Sequence, residues 1–390
     1  MPPKKPKLQI PLFDLKLSEA AKKEVMTVLK SGWLSSGPKV AAFEREIGKA
    51  TKVLNVAAVS SGTAGLFLAL KALDIKEGNE VITTPFTFVA TIEVILQVGA
   101  SPVLADIDPF TLNINPIEVE KRVTDKTKAI LPVDLAGYPA DYENLNNISL
   151  AHSLKIISDS AHSFGASLNN KAMPLWTDAS VYSFYPTKNV TSGEGGAVVS
   201  RRQELIDKIR LLAKHGLTGN AYDRKISGGW KYDALVQGFK ANMSDVHAAI
   251  GLGELAAFAS NQKKKEKLVE QYFKNLKDSS ELLRLPLVQD GFRHAWHLFI
   301  VQLELEKLKL DRNKFIEEMS KGGIECGVHY QPLFELSYYS NFFSLSLDKY
   351  PHAARAGQRV VSLPLYPTLK SAEVDQICDV IVEILKRNRR

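Results

Sequence analysis

Three side chains of types that can do chemistry, Lys188, Asp159 and His162, follow apolar runs of strand length. A buried lysine gives up its proton easily, and its neutral amine can form a Schiff base with an aldehyde. A buried carboxylate can keep the nitrogen of a pyridinium ring protonated, which makes that ring an electron sink. Lysine, aspartate and histidine at the ends of adjacent buried strands therefore predict a pyridoxal phosphate site.

The elements that must position these residues alternate along the chain. Apolar runs of strand length occupy 56–59, 81–84, 103–105, 129–133 and 155–158. Helical patterns occupy 63–73, 87–97 and 142–152. Strands that alternate with helices indicate an α/β fold with a mostly parallel central sheet covered on both faces. Ligands of such sheets bind beyond the carboxyl ends of the strands, where the candidate residues stand.

The pattern also divides the chain of 390 residues. It predicts a disordered arm over residues 1–9 and a large cofactor-binding domain over residues 10–258. It predicts a smaller C-terminal α+β domain over residues 259–390. Helices over 246–258 and 261–277 would join the two domains. In the second domain, strands near 295–305 and 325–330 mix with helices over 312–321 and 371–386.

The net charge of +7 lies in the two tails rather than in the body of the chain. The tail residues that account for it are Lys4, Lys5, Lys7, Lys386, Arg387, Arg389 and Arg390. The remaining charges balance, so the composition predicts no nucleic-acid partner.

Cysteine content and hydropathy bound the compartment. The chain has two cysteines, no CxxC motif, no apolar stretch long enough for a membrane span, and no apolar segment after its basic start. These features predict a cytoplasmic protein that does not contact a membrane. His294 and His297 have i, i+3 spacing but no third ligand nearby, so we expect no metal site.

Several short motifs together resemble one family. They are Ser60-Ser61-Gly62-Thr63-Ala64, Asp159-Ser160-Ala161-His162, Ser183-Phe184-Tyr185-Pro186-Thr187-Lys188-Asn189, Gly193-Glu194-Gly195-Gly196 and Lys214-His215-Gly216. Each motif is weak alone, but together and in this order they are similar to the DegT/DnrJ/EryC1/StrS family of sugar aminotransferases. The resemblance runs from about Ile10 to the end of the chain. It implies the aspartate aminotransferase-like fold type I of pyridoxal phosphate enzymes.

The phosphate end of the cofactor has candidate ligands from both arguments. Gly62 and Thr63 follow a strand and open a helix, and a helix N-terminus favours an anion. The resemblance implies that Gly62, Thr63 and the Ser183 hydroxyl hold the phosphate. It also implies that Asn242 reaches the phosphate of a partner subunit, which would make a homodimer with shared active sites. The alternative is that Asn242 only caps its own helix.

The ring end of the cofactor has three candidates. The resemblance matches Phe88 to the aromatic residue that stacks on the ring, whereas Phe86 is expected in the core. Asp159 is the expected partner of the pyridinium nitrogen. His162 stands where relatives carry glutamine or histidine near the ring hydroxyl.

Lys188 carries the expected reaction. As a Schiff base it is displaced by the amine donor, and the released amine then moves a proton as general acid and base. The resemblance implies glutamate as amino donor and a keto sugar on a nucleotide diphosphate as acceptor.

The sugar site is expected at aromatic and basic residues. By resemblance His329 and Tyr330 face the substrate, and so does Trp33, although a packed loop aromatic is an equal alternative. The loop over 214–240 adds Tyr222, Arg224, Trp230 and Lys231. Arg224 or Lys231 could hold a diphosphate, or both could be ordinary solvated residues.

Two positions depart from the family, and three other functions remain open. Phe334 and Asp134 stand where many relatives have histidine, which puts substrate contact at Phe334 in doubt and makes Asp134 a possible mark of a sugar subclass. Family members that dehydrate a sugar replace the lysine with histidine, so Lys188 disfavours that chemistry. Aminohydroxybenzoate synthases keep the lysine. A cofactor-binding regulator without turnover lacks support, since no DNA-binding motif flanks the large domain.

Overall fold

The computed structural model describes residues 9–219, 222, 226, 230–343 and 347–390. The strands in these ranges are β1 (Val56–Val59), β2 (Glu80–Thr83), β3 (Ser101–Leu104), β4 (Thr127–Leu131), β5 (Lys155–Asp159), β6 (Ser167–Leu168), β7 (Lys171–Ala172), β8 (Ala179–Ser183), β9 (Gly196–Val199), β10 (Leu283–Arg284), β11 (Phe292–Arg293), β12 (Phe299–Leu303) and β13 (Val360–Leu363).

Helices surround these strands. Those of the described ranges are α1 (Glu19–Ser31), α2 (Pro38–Thr51), α3 (Gly62–Ala72), α4 (Ala90–Gln97), α5 (Pro116–Glu120), α6 (Tyr142–His152), α7 (Gln203–Ala213), α8 (Asp245–Leu276), α9 (Arg312–Lys321), α10 (Ser337–Phe343), α11 (Pro351–Arg359) and α12 (Ser371–Arg387). Among the described residues, no helix combines the length and the apolar character needed to cross a membrane.

The central sheet has seven strands in the order β1-β9-β8-β5-β4-β2-β3. Only β9 runs antiparallel to its neighbours, so the predicted mostly parallel sheet is confirmed. Its middle strands are apolar on both faces because helices cover both faces, as in β9, which is buried throughout. The alternation of strand and helix patterns from residue 55 onward thus predicts the α/β architecture of the central sheet.

The sheet brings the ends of three elements to one edge. β5 ends at Asp159 and its parallel neighbour β8 ends at Ser183. β1, which runs in the same direction, leads directly into α3, and Ser61 caps that helix by accepting a hydrogen bond from the Ala64 N–H at 3.0 Å. A carboxylate, a hydroxyl and a helix N-terminus therefore share the carboxyl edge of the sheet.

One helix joins the central sheet to the C-terminal part. The sequence predicts two helices over 246–258 and 261–277, but α8 is continuous across residues 259 and 260, which are Ala259 and Ser260. Neither residue is a glycine or proline, so nothing in the backbone ends the helix there. Gly253 lets α8 approach α1 closely, because a side chain there would collide with Ala21.

The C-terminal part has a three-stranded sheet in the order β10-β12-β13, packed with α9 and α12. The strand predicted over 325–330 is wrong. This segment makes only isolated bridges, between Ile324 and Ile10 and between Gly327 and Ser362. It leaves the sheet because it carries His329 and Tyr330 towards the central sheet, an arrangement that depends on distant packing rather than on local pattern.

The start of the described chain belongs to the same C-terminal part. Of the arm predicted over residues 1–9, residues 1–8 lie outside the described residues, and the Gln9 N–H donates to the Gly323 carbonyl at 2.8 Å. Ile10 is buried in the C-terminal core.

Candidate active site

A cavity of about 530 Å³ opens at the carboxyl edge of the central sheet. Its volume lies within the range of small-molecule sites. The predicted site residues that line it are Gly62, Thr63, Phe88, Asp159, His162, Ser183, Lys188, His329 and Tyr330. The structure therefore brings together residues that the sequence separates by more than 260 positions.

One end of the cavity is a cradle suited to an anion. α3 begins there at Gly62, and a helix N-terminus presents N–H groups that favour negative charge. A Cβ atom on Gly62 would lie 3.0 Å from the Ser183 Cβ atom, and one on Gly196 would lie 2.6 Å from the Gly62 nitrogen. Glycine at both positions lets β8 and β9 approach the start of α3 closely, which places the Ser183 hydroxyl beside that helix N-terminus.

Asp159 lies at the end of β5, 6% exposed. Its Oδ2 accepts a hydrogen bond from the Thr91 hydroxyl at 2.8 Å, and its Oδ1 accepts from the Ala161 N–H at 3.2 Å. Burial raises the pKa of this carboxyl, while the two hydrogen bonds and the nearby Lys188 charge lower it. A buried carboxylate of this kind fits the protonated nitrogen of a pyridinium ring.

Lys188 lies on the turn that follows β8, where its N–H donates to the Tyr185 carbonyl at 2.9 Å. Burial lowers the pKa of its amine to about 8, and the Asp159 charge opposes part of that shift. At neutral to mildly alkaline pH the amine is therefore neutral in a substantial fraction of molecules, as a nucleophile or a general base requires.

His162 is neutral and has a defined tautomer. Burial and the Lys188 charge hold its pKa well below the usual value. Because its Nδ1 accepts the Ala136 N–H at 3.2 Å, the ring proton lies on Nε2, which contacts the Tyr330 hydroxyl at 3.2 Å. This contact joins the central sheet to the segment of His329 and Tyr330.

His329 is held from the other side of the cavity. Its Nδ1 makes a 2.8 Å hydrogen bond with the Ser362 hydroxyl of β13. Burial and the Lys188 charge lower its pKa to about 4, so this ring is neutral as well.

The aromatic wall follows the expected division. Phe88 lines the cavity, is 56% exposed, and its ring centroid lies 6.1 Å from that of Tyr330. Phe86 is fully buried in the core, as expected. The helix predicted over 87–97 begins only at Ala90. Phe88 therefore lies in the segment before the helix, where it lines the cavity.

The remaining predicted residues that the structure describes do not line this cavity. Trp33 donates its Nε1–H to the Ser36 carbonyl at 3.1 Å, and its ring centroid lies 5.1 Å from that of Tyr222. Trp230 is 78% exposed beside Lys231, and Arg224 lies outside the described residues. The sugar-contact roles of these residues stay predictions.

Asn242 does not cap α8; that role belongs to Ser244, whose hydroxyl accepts the His247 N–H. The Asn242 amide instead donates to the Ser36 hydroxyl at 2.6 Å and accepts from the Lys240 amine at 2.8 Å. The alternative in which Asn242 caps its own helix is therefore wrong.

Two residues in or next to the cavity escaped sequence reasoning. Thr91 binds Asp159 across 68 positions and had no local signal. His297 lines the cavity with its ring centroid 4.3 Å from that of His162, and the sequence had offered it only as half of a metal pair. Within the described residues, no group of three or more histidine, cysteine or acidic side chains is placed to hold a metal ion.

Comparisons with known proteins agree with this geometry. A model of the DegT/DnrJ/EryC1/StrS aminotransferase family matches residues 16–382. The spore coat polysaccharide biosynthesis protein SpsC of Bacillus subtilis is 39% identical over 365 residues, which cover 93% of this chain and 94% of SpsC.

Solved structures agree as well. Spr1654 of Streptococcus pneumoniae in its PMP form has a TM-score of 0.91 at 30% identity, covering 97% of this chain and 100% of that one, and its PLP form has also been solved. Helicobacter pylori PseC, an aminotransferase involved in the biosynthesis of pseudoaminic acid, has a TM-score of 0.88 at 28% identity and covers 98% of this chain and 100% of its own. The fold is fold type I of the pyridoxal phosphate enzymes, and the chain belongs to the DegT/DnrJ/EryC1/StrS aminotransferase family.

Proposed function

We propose that this protein moves an amino group from glutamate to the keto group of a nucleotide-linked sugar, with pyridoxal phosphate as cofactor. The observation that carries the proposal is the meeting of a buried carboxylate, a lysine of lowered pKa and a helix N-terminus in one cavity, formed by Asp159, Lys188 and Gly62. The family of the chain supports the reaction class.

The residues present fit the cofactor from end to end. The cradle of Gly62, Thr63 and Ser183 would hold the phosphate, and Phe88 would cover one face of the ring. Asp159 would keep the ring nitrogen charged. When bound, pyridoxal phosphate supplies an aldehyde for amines and a ring that accepts an electron pair.

Lys188 would have two tasks. Its amine would hold the cofactor between turnovers, and after release by the incoming donor it would take a proton from carbon and return it one position away. A pKa of about 8 suits both tasks, because the amine can gain and lose a proton near neutral pH. His162, with its proton on Nε2 and Tyr330 beside it, would orient groups at the ring edge without changing charge.

The substrates are inferred by chemistry and by relatives. SpsC belongs by its name to polysaccharide biosynthesis, and PseC to pseudoaminic acid biosynthesis, so an amino sugar as product is the natural inference. His329 and Tyr330 would face the sugar from the cavity wall. Tyr222, Arg224, Trp230 and Lys231 would face the nucleotide, with Arg224 or Lys231 at the diphosphate.

We further infer a homodimer with shared active sites. Asn242 and Trp33 both contact Ser36, outside the cavity of their own subunit. Leu34, two positions before Ser36, is 50% exposed, and the segment that precedes Asn242 in the chain exposes Trp230 at 78% and Leu235 at 59%. Exposed apolar area of this kind is typical of a surface that a partner covers, and a second copy would bring Asn242 to the neighbouring phosphate.

Two half-reactions test the function separately. Holoenzyme and glutamate without a sugar should release about one equivalent of 2-oxoglutarate per site, together with loss of the cofactor's visible absorption. A panel of nucleotide keto sugars is then added with excess glutamate, and the amino sugar is identified by mass spectrometry.

The outcomes separate the alternatives. A catalytic protein releases 2-oxoglutarate, whereas Lys188→Ala does not. A protein that binds the cofactor but leaves glutamate unchanged would be a regulator, and the proposal would be wrong. If glutamate yields 2-oxoglutarate but no sugar of the panel accepts the amino group, the nucleotide-sugar substrate is refuted. The reaction class would still stand.

A further inference from the structure

Asp134 is a buried carboxylate beside the active site that does not line the cavity. It lies just beyond β4 with no exposed surface. Burial raises the pKa of this carboxyl to about 6, and four hydrogen bonds, all donated to its oxygens, oppose that shift and favour the ionised form. An ionised carboxyl without exposure needs its acceptor sites filled.

Its two oxygens bind two different turns. Oδ1 accepts from the Ala140 N–H at 3.0 Å and from the Tyr142 hydroxyl at 2.8 Å, both beyond the end of β4. Oδ2 accepts from the Ser160 hydroxyl at 2.9 Å and from the Ser163 hydroxyl at 2.6 Å, both beyond the end of β5. One side chain thus ties the turn after β4 to the turn that carries Asp159 and His162.

Backbone contacts reinforce this tie. The Asp134 N–H donates to the Asp159 carbonyl at 3.1 Å, and the Ala136 N–H donates to the His162 ring at 3.2 Å. Gly137 has a φ of 96°, and a Cβ atom there would lie 2.8 Å from the His162 carbonyl oxygen, so the two turns meet without room for a side chain.

A line of buried hydroxyls ends on the same carboxylate. The Ser160 hydroxyl is 2.8 Å from that of Ser158, which donates to the Ser180 hydroxyl at 2.8 Å. All three serines are fully buried. Each hydroxyl has one proton to give, and Ser160 gives its proton to Asp134 while Ser158 gives its own to Ser180, so neither proton lies between Ser158 and Ser160.

We propose that Asp134 is a positioning residue, which as a carboxylate fixes the place and orientation of Asp159 and His162 through Ser160 and Ser163. This proposal rests on the proposed function for its kinetic effect, but its geometry concerns cofactor binding as well. In Asp134→Asn, an N–H₂ group would replace one of the two acceptor oxygens. Because the Ala140 N–H can only donate, the remaining oxygen would face Ala140 and the N–H₂ group would face Ser160 and Ser163. The serine side would then lose its acceptor, and the turn of Asp159 and His162 would shift.

Two single-hydroxyl variants separate positioning from stability. Ser163→Ala and Tyr142→Phe each remove one hydroxyl donor from Asp134, but only Ser163 belongs to the turn with Asp159 and His162. We expect comparable losses of thermal stability. We expect Ser163→Ala to slow single-turnover reaction with glutamate by about tenfold and Tyr142→Phe to change it less than about twofold. Equal rates for the two variants would overturn the proposal.

A double-mutant cycle tests the path through His162. If Asp134 acts by orienting His162, then Asp134→Asn should slow wild-type enzyme much more than it slows His162→Ala. Full additivity of the two changes would contradict the proposal. If Asp134→Asn does not fold, the comparison of Ser163→Ala with Tyr142→Phe still decides.

A second readout does not need turnover. The absorption of the bound cofactor is recorded as a function of pH, and the midpoint of its change is the pH at which half of the change has occurred. This midpoint should shift in Ser163→Ala and should not shift in Tyr142→Phe. If wild-type protein leaves glutamate unchanged, the proposed function is wrong, yet the spectral comparison still tests Asp134. Identical midpoints in all three proteins would refute the positioning role.

Discussion

At the scale of single residues, the Lys188 amine and the Asp159 carboxylate set each other's charge. Burial lowers the pKa of the amine and raises that of the carboxyl, and each partner opposes the shift of the other. With a pKa of about 8, the Lys188 amine can therefore change its protonation near neutral pH although it is buried.

Replacement of Lys188 by alanine should abolish amino transfer, because no other primary amine lines the cavity among the described residues. The fold should remain intact, and the cofactor should still bind without covalent attachment. 2-Oxoglutarate release and thermal unfolding measure the two effects, with Lys49→Ala, an exposed lysine paired with Glu46, as the matched control. Near wild-type turnover would remove Lys188 from the mechanism.

Replacement of Asp159 by asparagine removes the charge that, in the proposed function, keeps the ring nitrogen protonated. We expect turnover to fall by a factor on the order of one hundred or more, by analogy with other mispaired catalytic carboxylates. Steady-state kinetics with glutamate measure the loss, and Asp207→Asn, an exposed residue on α7, is the matched control. A loss smaller than about tenfold would mean that another group balances the ring charge.

The lowered pKa of Lys188 makes a prediction about pH. Only the neutral amine attacks an aldehyde, and with a pKa of about 8 its neutral fraction rises as pH rises. That fraction grows from about one tenth at pH 7 to about nine tenths at pH 9. Capture of pyridoxal phosphate by apoenzyme, followed in stopped flow, should therefore accelerate with a midpoint near pH 8. A midpoint near pH 10 would show that burial does not lower this pKa.

At the scale of elements, the cradle depends on how closely β9 approaches the start of α3. A methyl group at position 196 would lie 2.6 Å from the Gly62 nitrogen, so one of the two elements must move. We expect Gly196→Ala to weaken pyridoxal phosphate binding by about tenfold or more. Gly48→Ala on α2 is the matched control, because its Cβ would press on Leu54 at 3.1 Å, away from the cavity. Equal cofactor affinity in both variants would contradict the cradle.

Elements with strong local signals were predictable from the sequence. β1 and α6 match their predicted bounds because apolar runs and capping residues are local features. The strand predicted over 155–158 ends within one residue of its observed end at Asp159, which lines the cavity.

The remaining features depend on distant contacts. Asp134 acquires its role only when Tyr142 and the serines at 160 and 163 fold around it. Likewise, the segment over 325–330 has the composition of a strand, but His329 is held by Ser362 from another element. The two serines lie 26 and 29 positions from Asp134, and Ser362 lies 33 positions from His329, so no short window of sequence contains both partners of these contacts.

At the scale of the whole molecule, the shared site gives the last prediction, and it concerns Asn242. Its amide lies outside the cavity of its own subunit, bonded to Ser36 and Lys240. If it serves the phosphate of a partner, Asn242→Ala should weaken cofactor binding and activity, both measured at fixed protein concentration. Dilution of the wild-type protein until the proposed dimer dissociates should produce the same two losses together.

Mixing an impaired protein with an inactive one gives the sharpest form of this test. In a heterodimer of Asn242→Ala with Lys188→Ala, one of the two sites combines an intact Lys188 from the first subunit with an intact Asn242 from the second. Activity should therefore rise after the two proteins are unfolded and refolded together, in proportion to the heterodimer formed. Each protein refolded alone is the control. A site built within one subunit cannot use a side chain of its neighbour. A mixture no more active than the sum of the two proteins refolded alone would therefore show that each subunit builds its site alone. An active monomer would show the same.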